Sequence, residues 1–126
     1  MSKRATGTFT TVFEPLTSED EWLGRARVVK TIEGDLVGGG RAEMLSVGTA
    51  VAGSAGYVAI DLITGVLDGR AGSFVLQHNG IMERGEGRLT VTVVPDSGTG
   101  ELAGLSGTFA IVNEGGIHSY TFDYDV

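Results

Sequence analysis

The chain has 126 residues, 21 of them glycine, with two prolines and no cysteine. The missing sulfur excludes disulfide scaffolds, thiolate metal sites, iron–sulfur clusters and cysteine nucleophiles. Nine basic against sixteen acidic residues leave a net charge of −7, too few cations for nucleic acid or an anionic membrane surface as partner. The length suits one domain over 1–126, able to bury roughly two-thirds of the surface its unfolded chain exposes. Lys3 and Arg4 precede no apolar run, so a secretory signal is not expected. No stretch nears the ~20 apolar residues of a membrane span. The expectation is a soluble, cytoplasmic protein.

Eight β-rich stretches follow one another, separated by Gly, Asp and Ser. The first, over 4–13, sets Phe9, Thr11 and Phe13 against Thr8, Thr10 and Val12. The connection over 14–24 has capping-box spacing between Ser18 and Glu21, which fits a single helical turn or an acidic loop. Its Trp22 either packs down onto the sheet or closes over a cavity mouth as a lid. In the second strand, 25–34, Val28, Val29 and Ile32 interleave with Arg27, Lys30 and Glu33. The third, 40–51, alternates Ala42, Met44 and Ser46 with Glu43, Leu45 and Val47. The fourth and fifth, 57–67 and 72–82, are joined through Asp68-Gly69, a pair that tolerates positive φ and favours a tight hairpin. The sixth, 87–94, stops at Pro95; the seventh, 107–113, turns through Glu114-Gly115-Gly116 into the eighth, 119–126. The class is all-β. Eight antiparallel strands can bury their edges by closing into a barrel or by stacking as a β-sandwich or jelly roll. Glycines inside the strand patterns (Gly7, Gly48, Gly65, Gly72, Gly80, Gly87, Gly107) mark the bends of a closing sheet and favour the barrel.

Two runs carry a resemblance. They are Asp68-Gly69-Arg70-Ala71-Gly72-Ser73-Phe74-Val75-Leu76-Gln77-His78-Asn79-Gly80 and Val94-Pro95-Asp96-Ser97-Gly98-Thr99-Gly100-Glu101-Leu102-Ala103-Gly104-Leu105-Ser106-Gly107. With them the chain, from Ala5-Thr6-Gly7 to Tyr120-Thr121-Phe122-Asp123-Tyr124, resembles a bacterial family of unknown function, domain of unknown function 3224. The resemblance implies an eight-stranded barrel similar to that of allene oxide cyclase, a shape shared with dirigent proteins and spirotetronate-forming cyclases. Those relatives shape a reactive small molecule in an apolar lumen. Fold does not transfer function, and no catalytic residue is carried over.

If Asp68-Gly69 forms a two-residue turn, Leu67 pairs with Arg70, Ile63 with Phe74, Asp61 with Leu76 and Ala59 with His78. Tyr57, Asp61, Phe74, Leu76 and His78 then share one face, with Asp61 and His78 as diagonal neighbours. A carboxylate beside an imidazole in an apolar cavity is a general base or proton shuttle; the same two groups facing outward, or bonded only to satisfy burial, would have no chemistry. Glu43 could reach the cavity from the third strand or lie in solvent. Tyr120, Phe122 and Tyr124 form an aromatic stripe for ligand stacking, core packing or a subunit contact. Gln77 and Asn79 occupy the face opposite His78.

Neither His78 nor His118 has spaced metal partners, so no metal or other cofactor is expected. Gly38-Gly39-Gly40 and Gly98-Thr99-Gly100 are read as turns, because neither opens a phosphate-binding helix. Ser97 and Ser106 lack a nucleophile's strand–turn–helix setting. Three readings follow: a barrel binding a small hydrophobic ligand with isomerase, cyclase or lyase-type acid–base activity, a non-catalytic lipophilic carrier or sensor, and an oligomer-forming structural protein. Val58, Ile60, Leu62 and Val75 would suit a homodimer contact if the opposite face fills the interior.

Overall fold

The computed structural model describes residues 2–126. The strands are β1 (Lys3–Leu16), β2 (Gly24–Gly34), β3 (Leu36–Gly48), β4 (Ala55–Leu67), β5 (Arg70–Glu83), β6 (Glu86–Val93), β7 (Ser106–Glu114) and β8 (Ile117–Asp125), with one 3-10 turn at Gly100–Leu102. Each strand runs antiparallel to its chain neighbours, and β8 returns to β1, closing the barrel. Closure removes the sandwich and jelly-roll alternatives and, outside the short β6–β7 ladder, leaves no strand edge unpaired.

The β4–β5 hairpin has the expected two-residue turn, with Asp68 and Gly69 at φ 47° and 84°. Its register pairs Leu67 with Arg70, Ile63 with Phe74 and Ala59 with His78. Gly38-Gly39-Gly40, expected in a turn, lies inside β3. The reason is close approach: a Cβ on Gly38 would sit 2.1 Å from the Thr64 carbonyl oxygen, and one on Gly65, its partner across the ladder, 2.2 Å from that of Val37. The turn is at Gly34-Asp35 instead, where Gly34 takes φ 109°. The 17–23 connection contains no helix; it is a turn in which Leu23 N–H donates to the Asp20 carbonyl at 3.2 Å.

Inward rows alternate with outward ones along every strand. At one end of the barrel the inward residues are large rings. Phe109 stacks on Tyr120 at 4.9 Å, and Phe122 lies 5.7 Å from Phe74 and 5.2 Å from Tyr124, centre to centre. The β6–β7 connection straps across this end, with Thr99 N–H donating to the Ser73 carbonyl at 2.8 Å. It thereby drives Leu102 and Leu105 into the core as a plug. β6 and β7 themselves pair only at Thr92 and Thr108, whereas the other neighbours pair along most of their length.

Candidate functional site

Above the ring layers the inward rows shrink to Ala26, Ala42 and Ala59. The space this leaves is a cavity of about 320 Å³ lined by Phe9, Val28, Lys30, Ala42, Met44, Tyr57, Ala59, His78, Leu89, Ile111, Asn113 and His118. Its floor is charged. Lys30 Nζ and His78 Nε2 reach the same oxygen, Asp61 Oδ2, at 2.5 and 3.1 Å. Asp61 is wholly buried behind them, and Lys30 and His78 face the cavity.

The local sequence builds this trio. Asp61 and His78 are diagonal on the β4–β5 hairpin, as its turn dictates. Lys30 arrives from β2 across Gly40. A Cβ on Gly40 would lie 2.9 Å from Ile63 Cδ1 and 3.1 Å from Asp61 Oδ1, so glycine leaves the carboxylate its place. Tyr57 lies flat against Gly80, where a Cβ would meet the ring at 2.2 Å. Phe9 stacks on His118 at 5.0 Å and carries Lys30 Nζ over its ring at 5.5 Å, a geometry that favours the cation.

Burial alone would push the Asp61 carboxyl up, but the His78 hydrogen bond and the Lys30 charge outweigh it and hold Asp61 below the ordinary carboxylate value. An ionised Asp61 accepts, so His78 donates from Nε2–H, the arrangement that in a neutral imidazole leaves the lone pair on Nδ1. Burial raises the Tyr57 phenol, which stays a protonated donor. Asp61 Oδ1 is the single buried side-chain polar atom without a partner among the described residues.

Of the sequence-derived candidates, Asp61, His78 and Tyr57 come together at the cavity. Phe74 and Leu76 share their inward row but are consumed by the core. Tyr120 is also core: its hydroxyl accepts from Leu36 N–H at 3.0 Å and donates toward the carbonyls of Glu33 and Leu36. Glu43 is on the outer face, paired with Arg27 at 3.2 Å, because it sits one residue out of phase with Ala42 and Met44. Trp22 is 67% exposed and absent from the cavity lining, so the lid reading is corrected. Lys30, Phe9 and His118 were not foreseen as cavity residues. The spacing Ala26-Val28-Lys30-Ile32 puts the lysine on the inward row and was the available signal.

A closed antiparallel barrel, plugged at one end and hollow over a buried ion pair at the other, defines a small lumen-bearing β-barrel protein. The chain belongs to the family described as protein of unknown function (DUF3224), whose model matches residues 5–124. A crystal structure of a protein with unknown function from that family, from Shewanella oneidensis MR-1, is similar over 99% of this chain and 97% of that chain. The two are 48% identical, with a TM-score of 0.94. No curated protein matches the chain.

Proposed function

We propose that the lumen binds a small, largely apolar carbonyl compound and moves a proton on it, an acid–base reaction of the isomerase, cyclase or lyase kind. The observation that supports this is the convergence of Lys30 and His78 on one buried carboxylate at the floor of a mainly apolar cavity, which Asn113 and His118 also line. In this reading His78 Nδ1 removes a proton from the carbon next to the carbonyl. The C–H electron pair becomes a C=C bond, and the carbonyl π pair moves onto oxygen, where the Lys30 ammonium stabilises the enolate. Returning the proton from His78 to the same carbon completes an exchange, and delivering it to the far carbon of a conjugated enolate moves the double bond and completes an isomerisation, in either case without a co-reactant. Asp61 is the positioning residue that fixes the imidazole tautomer.

Deuterium incorporation into cyclohexanone in D2O, followed by NMR, tests this. Wild-type protein is expected to exchange the α-protons faster than His78→Gln by about 10²–10⁴-fold, the usual contribution of a general base. Equal rates in the two proteins, both folded by circular dichroism, overturn catalysis. Retained binding without exchange in wild type leaves the carrier reading.

We also infer a homodimer through the outer face of β3, β4 and β5. Val37, Leu45, Val47, Val58, Ile60, Leu62, Val66 and Ile81 are each exposed there by 37–56%. At 25 cal/mol per Å² and 1.5–3 kcal/mol per buried side chain, half-exposure of these eight amounts to about 400 Å² of apolar surface. That is the apolar share of the ~800 Å² each partner gives to a standard interface. The chain's net charge of −7 disfavours an anionic membrane on this face. Ile60→Asp is expected to convert the dimer to monomer in sedimentation; a wild-type monomer at high micromolar concentration overturns the inference.

A further inference from the structure

The cavity over Lys30 does not end at the barrel mouth. Met44, Tyr57, Leu89 and Ile111 also wall a second, larger hollow of about 620 Å³. That hollow continues along Met82, Gly87, Arg88 and Ala110, which flank the stretch where β6 and β7 make no ladder beyond Thr92 and Thr108. The ladder between β6 and β7 is therefore slit toward the mouth, and Ser46, Gly48 and Ala55 of β3 and β4 complete the rim of the hollow on its other side. The inward rows record the consequence. Leu89 shares its row with Val91 and Val93, which are 2% and 3% exposed, yet Leu89 itself is 43% exposed, and Met82, on the inward row of β5, is 46% exposed.

Along the inner path polarity falls from the ionic, closed floor to Met44, Leu89 and Ile111, and Arg88 stands only at the outer rim by the slit. Burying a charge is costly unless it is paired, and Lys30 is already balanced by Asp61. The floor thus suits an uncharged oxygen and not a second carboxylate beside Asp61. At ~30 Å³ for each water-sized atom, the inner cavity holds about ten, so a longer molecule reaches into the second hollow.

We infer that the ligand is an amphiphile with an uncharged oxygen, such as a ketone, at one end and an alkyl chain at the other, seated oxygen-first on Lys30 and His78 with its chain leaving between β6 and β7. This rests on the lumen-binding reading above and adds the orientation, the headgroup charge and the exit. It makes Leu89 and Met82 part of the binding surface.

The test is a series of 2-alkanones from 2-pentanone to 2-undecanone, with free ketone measured by headspace partition over wild-type protein and Gly87→Trp. Gly87 lines the slit, and a Cβ there meets nothing within 4 Å, so the indole obstructs the exit without straining the strand. Gly48→Trp, with the same open surroundings but on the β3 rim of the hollow, paired with β4 and away from β6 and β7, is the control. Wild-type affinity is expected to rise about two- to fourfold per methylene along the whole series. Gly87→Trp should weaken 2-undecanone at least tenfold and 2-pentanone less than twofold, whereas Gly48→Trp should leave both within about threefold of wild type. The inference is overturned if the rise stops once the inner cavity is filled, if Gly87→Trp weakens short and long ketones alike or no more than Gly48→Trp does, or if decanoate binds as tightly as 2-undecanone. Those outcomes leave lumen binding standing; failure of every ketone to bind removes the lumen reading and this inference together.

Discussion

The two ends of the barrel are made from the same alternating rows and differ in what fills them. An eight-stranded barrel fixes its interior width through strand number and tilt, so side-chain size decides whether a layer is solid or hollow. At the plugged end the rows terminate in Phe74, Phe109, Tyr120, Phe122 and Tyr124 over Leu102 and Leu105. The turns there are tied together as well: Asp68 N–H donates to the Asp35 carbonyl at 2.9 Å, Thr6 N–H to Asp35 Oδ2 at 2.9 Å, and the Tyr124 hydroxyl to the Asp68 carboxylate. That bond and burial push the Tyr124 phenol up to about 12. At the open end alanines stand where rings stood, and the Lys30–Asp61–His78 trio lies at the boundary. Cohesion is concentrated in one half, which frees the other to be hollow.

Breaking the solid half should have the largest effect. Phe122→Ala removes the ring that touches Phe74, Phe109 and Tyr124 and is expected to cost about 4 kcal/mol of unfolding free energy, read from the urea midpoint. Next comes the boundary. Lys30→Met leaves the Asp61 carboxylate buried without its cation and should cost about 3 kcal/mol; a loss under ~1 kcal/mol would mean that solvent already reaches the pair. The same carboxylate sets an acid limit. Because Asp61 is held below its ordinary value in the folded protein, its contribution is fully present above the unfolded pKa of about 3.9 and is lost as pH falls through the lower folded value. Melting temperature against pH should drop more steeply below about pH 4 in wild type than in Asp61→Asn. Parallel profiles would show that other carboxylates govern acid unfolding.

Much of this division was legible, and the gaps have physical causes. Asp68-Gly69 was enough to set the register of β4 on β5, and the register put Asp61 and His78 on one face. Lys30 was not singled out because Val28 and Val29 are both apolar, which blurs the period, and a lysine reads as solvent-facing by default. Glu43 was ambiguous for the converse reason: Leu45 and Val47 on its own outward row are as apolar as Met44 on the inward one, so hydrophobicity could not tell the faces apart. The glycines of β3 looked like a turn because the contact that demands them, with β4, is tertiary. The two runs that carry the family resemblance meet in space. Ser73 and Thr99 share hydrogen bonds, Ala71 N–H donates to Glu101 and Val75 N–H to Ser97. What those runs mainly specify is the strap and plug; of the hollow end they hold His78 and Gly80 and leave out Lys30 and Asp61, so they made the fold more readable than the chemistry.

The mildest change is the sharpest comparison, because one substitution can be placed at both ends. Ala5 is fully buried among the closed-end residues, so Ala5→Leu inserts three carbons into filled space and should cost about 1–3 kcal/mol through displaced neighbours. Ala59 lines the cavity, and the same three carbons at Ala59→Leu enter a void. The void supplies contacts where the core would supply clashes, so the stability change is expected to stay within about 1 kcal/mol of zero. The leucine should nevertheless occupy the floor beside His78, its ladder partner, and abolish ketone binding. Equal urea midpoints for the two variants would mean that the open end closes up in solution, and the contrast between the halves would then belong to side-chain identity without any hollow to show for it.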